Sequence, residues 1–252
     1  MLASPAPTFA VSDVHGHRDD LVATLQGAGL LDARERWSGG DAQLFVLGDL
    51  LDRGPDGIGV IRLLRRLQGE APDAVHVLLG NHEVLALGMW LHPDEGYLPL
   101  WQRNGGLARD QAGLTPDDIT WLSHLPAMAR VGDDLLIHSD TTAYLGWGRS
   151  VEAVNAQVTG MLTRPDPIGV SEVLRGLTQR RRFVGANGPE QAGTMLAAYG
   201  GTRVVHGHSI VATLRGVTPG HGALPYADGK ALAIDGGRYN GGPLLLVNLS
   251  NA

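Results

Sequence analysis

Hydrophobic and polar positions along the first third of the chain switch between two periods. Thr8-Phe9-Ala10-Val11-Ser12, Leu44-Phe45-Val46-Leu47 and Val75-His76-Val77-Leu78-Leu79 are short apolar runs. The middle run is unbroken, the mark of a strand buried on both faces. Between the runs, Leu21, Val22, Leu25 and Ala28, then Ile58, Ile61, Leu64 and Leu67, recur at helical spacing. Arg62, Arg65 and Arg66 fall on the opposite side of the second set. The pattern predicts helices after residue 20, over about residues 58–67, and over 84–91, with Asp19 or Asp20 capping the first. Strand–helix–strand–helix–strand in this order predicts a parallel sheet with right-handed crossovers.

Residues 92–113 break the pattern with His92-Pro93, Gly96, Pro99 and Asn104-Gly105-Gly106, which reads as an excursion over the site. Thr115-Pro116-Asp117-Asp118 is a helix start, with Thr as cap, Pro in the first turn and carboxylates facing the helix dipole. Residues 127–131 and 135–137, joined through Gly132-Asp133-Asp134, predict a β-hairpin ending in His138. Residues 151–162, 170–177 and 194–199 predict helices. Residues 203–206 predict a strand ending in Gly207-His208, and 231–234 and 244–249 are late strands around Asp235-Gly236-Gly237. With no repeat, low-complexity tract or linker in sight, residues 1–252 read as one α/β domain.

Composition narrows the function. The 252 residues are enough to bury a proper core, and 36 glycines with 14 prolines suit an enzyme whose site is built from loops at strand ends. A formal charge of −6 argues against bulk nucleic-acid binding. The absence of cysteine removes disulfides and thiolate zinc sites, so any metal must sit on His, Asp and Asn. No apolar run is long enough to span a membrane, and Met1-Leu2-Ala3-Ser4-Pro5 lacks the marks of a signal peptide. A cytoplasmic location is the expectation, and oligomeric state is not readable.

The chemistry gathers at the carboxyl ends of the predicted strands, where open α/β sheets carry their ligands. The first ends in Asp13-Val14-His15-Gly16, the second in Gly48-Asp49-Leu50-Leu51-Asp52-Arg53-Gly54, and the third in Gly80-Asn81-His82-Glu83. Taken singly, Asp13 and His15 read as a solvated turn; the recurrence changes that. Asp13, His15, Asp49, Asn81, His138 and His208 are all oxygen or imidazole donors, which suits two borderline divalent ions such as manganese, iron, zinc or cobalt. Asp49, on the middle block, is the natural bridge. Two such ions, less two carboxylates and a hydroxide, leave a net charge of about +1, and Arg53 adds one more, matching a phosphate dianion. Asp52 and His82 form a second pair: a carboxylate on one imidazole nitrogen leaves the other free to protonate a departing alkoxide.

These three blocks resemble the signature blocks of the PPP-type metallophosphatases, within the calcineurin-like metallophosphoesterases. The look is nearest to bacterial Shewanella-like phosphatases and diadenosine tetraphosphatases. His138 and Gly207-His208-Ser209 fall where that family supplies its last two metal ligands, and Asn104-Gly105-Gly106 after Trp101 resembles a block of its bacterial members. The resemblance implies two mixed β-sheets forming a sandwich flanked by helices. It implies one ion, most commonly manganese, on Asp13, His15 and Asp49, and a second on Asp49, Asn81, His138 and His208. It gives Arg53 a phosphate-binding role, makes Asp52–His82 the acid dyad, and implies in-line attack by a metal-bridging hydroxide with no phosphoenzyme. The substrate is then a phosphorylated protein or a small phosphate ester, or alternatively a dinucleoside polyphosphate; a silent metal- or phosphate-binding module is the third reading. Asn104 and the run Arg180-Arg181-Arg182, in particular Arg180 and Arg181, are candidate substrate contacts. One departure stands out. The family usually has a small residue and Gly after the histidine, whereas here Ser139-Asp140 follows His138, an extra carboxylate able to alter metal preference or repel phosphate.

Overall fold

The computed structural model describes residues 6–164, 166–216 and 222–251; Met1–Pro5, read above from sequence, lies outside them. β1 (Thr8–Val11), β2 (Gln43–Val46) and β3 (Val75–Val77) are parallel neighbours in one sheet, with Val11 beside Val46 and Val46 beside Val77. α1 (Arg18–Gly27) and α2 (Gly57–Glu70) are the crossovers, and α3 (Asn81–Leu91) follows β3. Next come α4 (Tyr97–Arg103), α5 (Ala108–Gly113) and α6 (Pro116–Ser123). β4 (Met128–Val131) and β5 (Asp134–Ile137) form the expected hairpin. After α7 (Val151–Leu162), α8 (Pro167–Leu177) and α9 (Gly188–Tyr199) come β6 (Arg203–His206) and the short α10 (Val211–Arg215). β7 (Leu224–Tyr226), β8 (Ala231–Ala233) and β9 (Val247–Asn248) complete the strands. The first sheet runs β3-β2-β1-β9 and the second β4-β5-β6-β8-β7, both mixed.

The unbroken run in β2 serves two cores. Leu44 and Val46 point to the helices and join the cluster of Leu21, Leu25, Ile61 and Leu64. Phe45 and Leu47 point the other way and meet Ala10, Leu78, Leu136, Val205, Leu232 and Ile234 between the sheets. Strand alternation thus joins helices to sheet and sheet to sheet. At about 1.5–3 kcal/mol for each large apolar side chain, these two layers supply the main force holding the strand ends in register.

Four points differ from the expectations. α1 is headed by His17, with Asp19 and Asp20 in its first turn, because the Leu21 N–H already bonds the His17 carbonyl. The late strand 244–249 shrinks to Val247–Asn248 beside β1, and Leu244 and Leu246 pack on the core without pairing. The edge strand β7 escaped the pattern because Pro225 sits inside it, which an edge tolerates. The excursion over 92–113 holds α4 and α5 rather than open loop. Among the described residues no helix is long and apolar enough to cross a membrane.

Candidate metal centre

The first two blocks leave their strands through backbone that few side chains adopt. Asp13, His15, Asp49, Asp52 and Arg53 all have φ between 43° and 67°, a conformation costing non-glycine residues about 1–2 kcal/mol each. Hydrogen bonds hold it. The His15 and Gly16 amides donate to the Asp49 and Leu50 carbonyls at 2.8 Å. Glu83, fully buried, accepts from the amides of Asp49 and Leu50 at 2.8 Å and of Gly80 at 2.9 Å, so one carboxylate ties the second block to the third. Asp110 on α5 accepts from the Asp52 amide at 2.9 Å, and the Gly105 carbonyl from the Arg53 amide at 3.1 Å. A Cβ on Gly48 would strike the backbone of Gly80, and one on Gly54 the carbonyl of His15, so the blocks touch main chain to main chain.

What this scaffold brings together is the set named from sequence. Asp13, Asp49, His138 and His208 offer donor atoms within 4.8 Å of one another, and so do His15, Asp49 and His82; all are buried. Asp49 belongs to both sets. Asn81 joins through its Oδ1, 3.0 Å from His138 Nε2. The second sheet delivers its share by register: Ile137 lies beside His206, so His138 and the turn Gly207-His208 leave adjacent parallel strands. The His208 amide then donates to Asp13 Oδ2 at 2.8 Å.

The donor chemistry fits cations. The Leu47 carbonyl can only accept, so His138 commits its Nδ1 proton there at 2.7 Å. In the neutral ring this turns the Nε2 lone pair toward Asn81 Oδ1 at 3.0 Å and Asp49 Oδ1 at 3.4 Å. His15 repeats the arrangement, with Nδ1 on the Leu51 carbonyl at 2.9 Å and Nε2 3.4 Å from Asp49 Oδ2. Acceptors facing acceptors in a buried pocket want a positive ion between them. Burial is also the first cause holding the His15, His82 and His208 imidazoles well below their usual pKa, which suits His15 and His208 to serve as neutral ligands. Burial, and then the Asp13 charge, push the Asp49 carboxyl well up.

The other pair is equally well formed. His82 Nδ1 is 2.7 Å from Asp52 Oδ2, and Asp52 Oδ1 accepts from the Leu107 amide at 3.0 Å. His82 Nε2 is buried and unpartnered among the described residues, and its ring lies 4.7 Å from that of His15. Burial pushes the Asp52 carboxyl up to about 6. Arg53 Nη1 reaches His15 Nε2 at 3.0 Å, its Nε donates to the Asn104 carbonyl at 3.0 Å, and its guanidinium lies 4.0 Å over the Tyr239 ring. Asn104 turns its amide onto the Leu100 carbonyl, so its link to the site runs through Arg53. Arg180, Arg181 and Arg182 are exposed, on a loop whose Thr178 carbonyl lies 3.4 Å from His208 Nε2.

Asp140 does not face the donor sets. Its Oδ2 accepts from the Arg181 amide at 2.7 Å and its Oδ1 from the Ser209 hydroxyl at 2.6 Å. His206 bonds the Gly207 carbonyl and the Tyr226 hydroxyl beside the site. Sequence reasoning passed over Asp110, Tyr239 and Asp235. Asp235 is fully buried, and its pKa is raised by burial and then by the Asp13 charge. The only signal for Asp235 and Tyr239 was a Gly-rich turn after a strand, and Asp110 had none.

Comparison with known proteins agrees with this geometry. Shewanella-like protein phosphatase 2 of Arabidopsis thaliana is 34% identical over 84 residues, 32% of this chain and 22% of that protein. A symmetrical bis(5'-nucleosyl)-tetraphosphatase of Cronobacter sakazakii is 30% identical over 162 residues, 59% of this chain and 50% of that protein. These matches therefore span no more than half the length of either relative. Among solved structures, a cold-active protein-tyrosine phosphatase of a psychrophilic Shewanella species superposes with a TM-score of 0.73 at 22% identity, covering 95% of this chain and 74% of that one. A putative diadenosine tetraphosphatase gives 0.55 at 20% identity, covering 98% and 96%. These two show the shared fold. The calcineurin-like phosphoesterase family itself matches over residues 6–212, which takes in every donor named above. With that match and a buried donor set made for two metal ions, the chain belongs to the calcineurin-like phosphoesterases.

Proposed function

We propose that the protein hydrolyses phosphate monoesters, on phosphoproteins or small molecules, with Asp52–His82 as its acid dyad. The observation that carries the reading is that dyad: a buried imidazole, oriented by a carboxylate at 2.7 Å, with its second nitrogen unpartnered beside the donor sets. Binding alone needs no general acid, which argues against a silent module. Asp13, His15 and Asp49 would hold one ion, and Asp49, Asn81, His138 and His208 the other. When bound, such ions supply a Lewis-acid clamp for the phosphoryl oxygens and activated water. The rest falls to the chain itself. Arg53, aimed by Asn104 and Tyr239, binds a phosphoryl oxygen, and His82, once its Nε2 has taken a proton from solvent water and Asp52 stabilises the resulting imidazolium, passes that proton to the leaving oxygen.

A second reading is favoured by one observation. The exposed run Arg180–Arg182 beside His208 suits a longer polyanion, and the Cronobacter relative is a dinucleoside tetraphosphatase. The test is product release by the manganese-loaded protein, with a phosphoserine peptide, a phosphotyrosine peptide and diadenosine tetraphosphate in parallel. Phosphate release from a peptide supports the monoesterase. Faster nucleotide cleavage replaces it with the second reading. Metals bound with no turnover on any of the three would overturn both.

A further inference from the structure

The residue that departs from the family pattern has a place of its own. Asp140 is fully buried, two residues beyond His138, yet both its oxygens point away from the donor sets. One takes the Arg181 amide and the other the Ser209 hydroxyl. The Asp140 carbonyl also accepts from the Arg182 amide at 3.0 Å, and the neighbouring Thr141 hydroxyl donates to Gln179 Oε1 at 3.2 Å. Asp140 and Thr141 therefore grip residues 179, 181 and 182. Arg181 sits at φ 65°, a conformation that needs such a grip. Arg180 is the residue between the anchors, its side chain exposed while the backbone on either side is fixed.

We propose that Asp140 is a positioning residue that aims the Arg180 guanidinium at a phosphate held beside His208, and that Ser209 locks Asp140 in that orientation. The proposal rests on the phosphoesterase reading, and it deepens that reading by naming what sets the second cationic contact. The physics favours a carboxylate here. Two charge-assisted bonds hold the loop more stiffly than a neutral acceptor would. An arginine fixed at its backbone loses less freedom when it closes on an anion. The extra carboxylate thus serves the loop that borders the anion site, with both oxygens turned to donors there rather than toward the anion.

The experiment is a double-mutant cycle on inhibition by inorganic phosphate, with Asp140→Ala, Arg180→Ala and the pair, and with kcat and KM measured alongside. Asp140→Ala is expected to weaken phosphate inhibition and raise KM by about tenfold while kcat changes by less than about threefold, the span of a lost charge-assisted bond. In the Arg180→Ala background it should add nothing further. Asp140→Asn, which keeps an acceptor for the Arg181 amide, should restore most of the loss. Effects that multiply in the double variant, or a loss confined to kcat, overturn the proposal. Ser209→Ala leaves the buried carboxylate in place and runs the same cycle should the alanine at 140 not fold; it should weaken phosphate about threefold, again only with Arg180 present. A readout free of turnover is tryptic cleavage within Arg180–Arg182 of the native protein. Asp140→Ala should raise that rate about tenfold, and an unchanged rate overturns the grip even if no phosphoester is ever hydrolysed. Intact grip effects in a protein without turnover would instead count against the phosphoesterase reading alone.

Discussion

The first sheet brings Asp13, His15 and Asp49 to the pocket on loops that leave ordinary backbone geometry, whereas the second brings His138 straight off a strand end. Asp13, His15, Asp49, Asp52 and Arg53 each sit at positive φ, and the amide of each donates to a carbonyl or carboxylate from another segment. Of the donors the second sheet supplies, only His208, at φ 63°, adopts such a conformation; the rest follows from the pairing of β5 with β6. Strained loops that share their hydrogen bonds move as a group or not at all. A strand end can lose its side chain and leave its neighbours in place. The two halves of the site should therefore fail in different ways.

The largest expected effect is at Asp49, the member of both donor sets. Asp49→Asn should abolish turnover and lower metal content at both positions, measured by elemental analysis after dialysis; an active variant with two ions bound would remove the bridging role. His82→Asn should cut turnover by about 10²–10⁴-fold, the usual span for a general acid, and leave metal content unchanged. It should matter less for p-nitrophenyl phosphate than for an alkyl phosphate, and equal losses on both would speak against proton donation. His208→Ala tests the second sheet: one ion should be lost and the other kept, with the thermal midpoint of the metal-free protein nearly unmoved. Loss of both ions would mean that the second sheet is as tightly coupled as the first.

The smallest effect is in pH dependence. Burial pushes the Glu83 carboxyl up to about 7 in the metal-free protein, against 4.5 in the unfolded chain. The native state then keeps a proton that the unfolded chain has released, so this group's contribution is full below about pH 4.5 and lost as pH rises to about 7. His15, His82 and His208, with lowered pKa, act in the opposite direction, so the quantity to measure is the difference between wild type and Glu83→Gln. In urea titrations without metal that difference should shrink by about 3 kcal/mol between pH 4.5 and 7. A flat difference would mean that the three amide donors keep the carboxylate ionised throughout.

Sequence made the first sheet legible because its information is local. Each block follows its own apolar run, so Asp13, His15, Asp49, Asp52, Asn81 and His82 could be named with their elements, and the structure gathers them. His138 and His208 were weaker signals, single residues at strand ends whose meaning depends on which strands pair. Asp110, Tyr239 and Asp235 were silent, since each reaches the site across the fold: Asp110 bonds an amide 58 residues away, and Tyr239 lies under Arg53. Asp140 was visible as a departure, but its partners Arg181 and Ser209 were not, because 41 and 69 residues of chain intervene.

The glycine contacts between blocks limit how such an enzyme can diversify. Gly48 lies against Gly80, and Gly54 against the His15 carbonyl, with no room for a side chain or an added residue between them. These loops form a keystone: none can lengthen or gain bulk unless its neighbours retreat. New specificity must then enter through segments that border the keystone without being locked into it, such as the outer faces of α4, α7 and α8. A library of insertions across the gene should show this as a map, with survivors dense in those segments and absent from the turns that follow β1, β2 and β3.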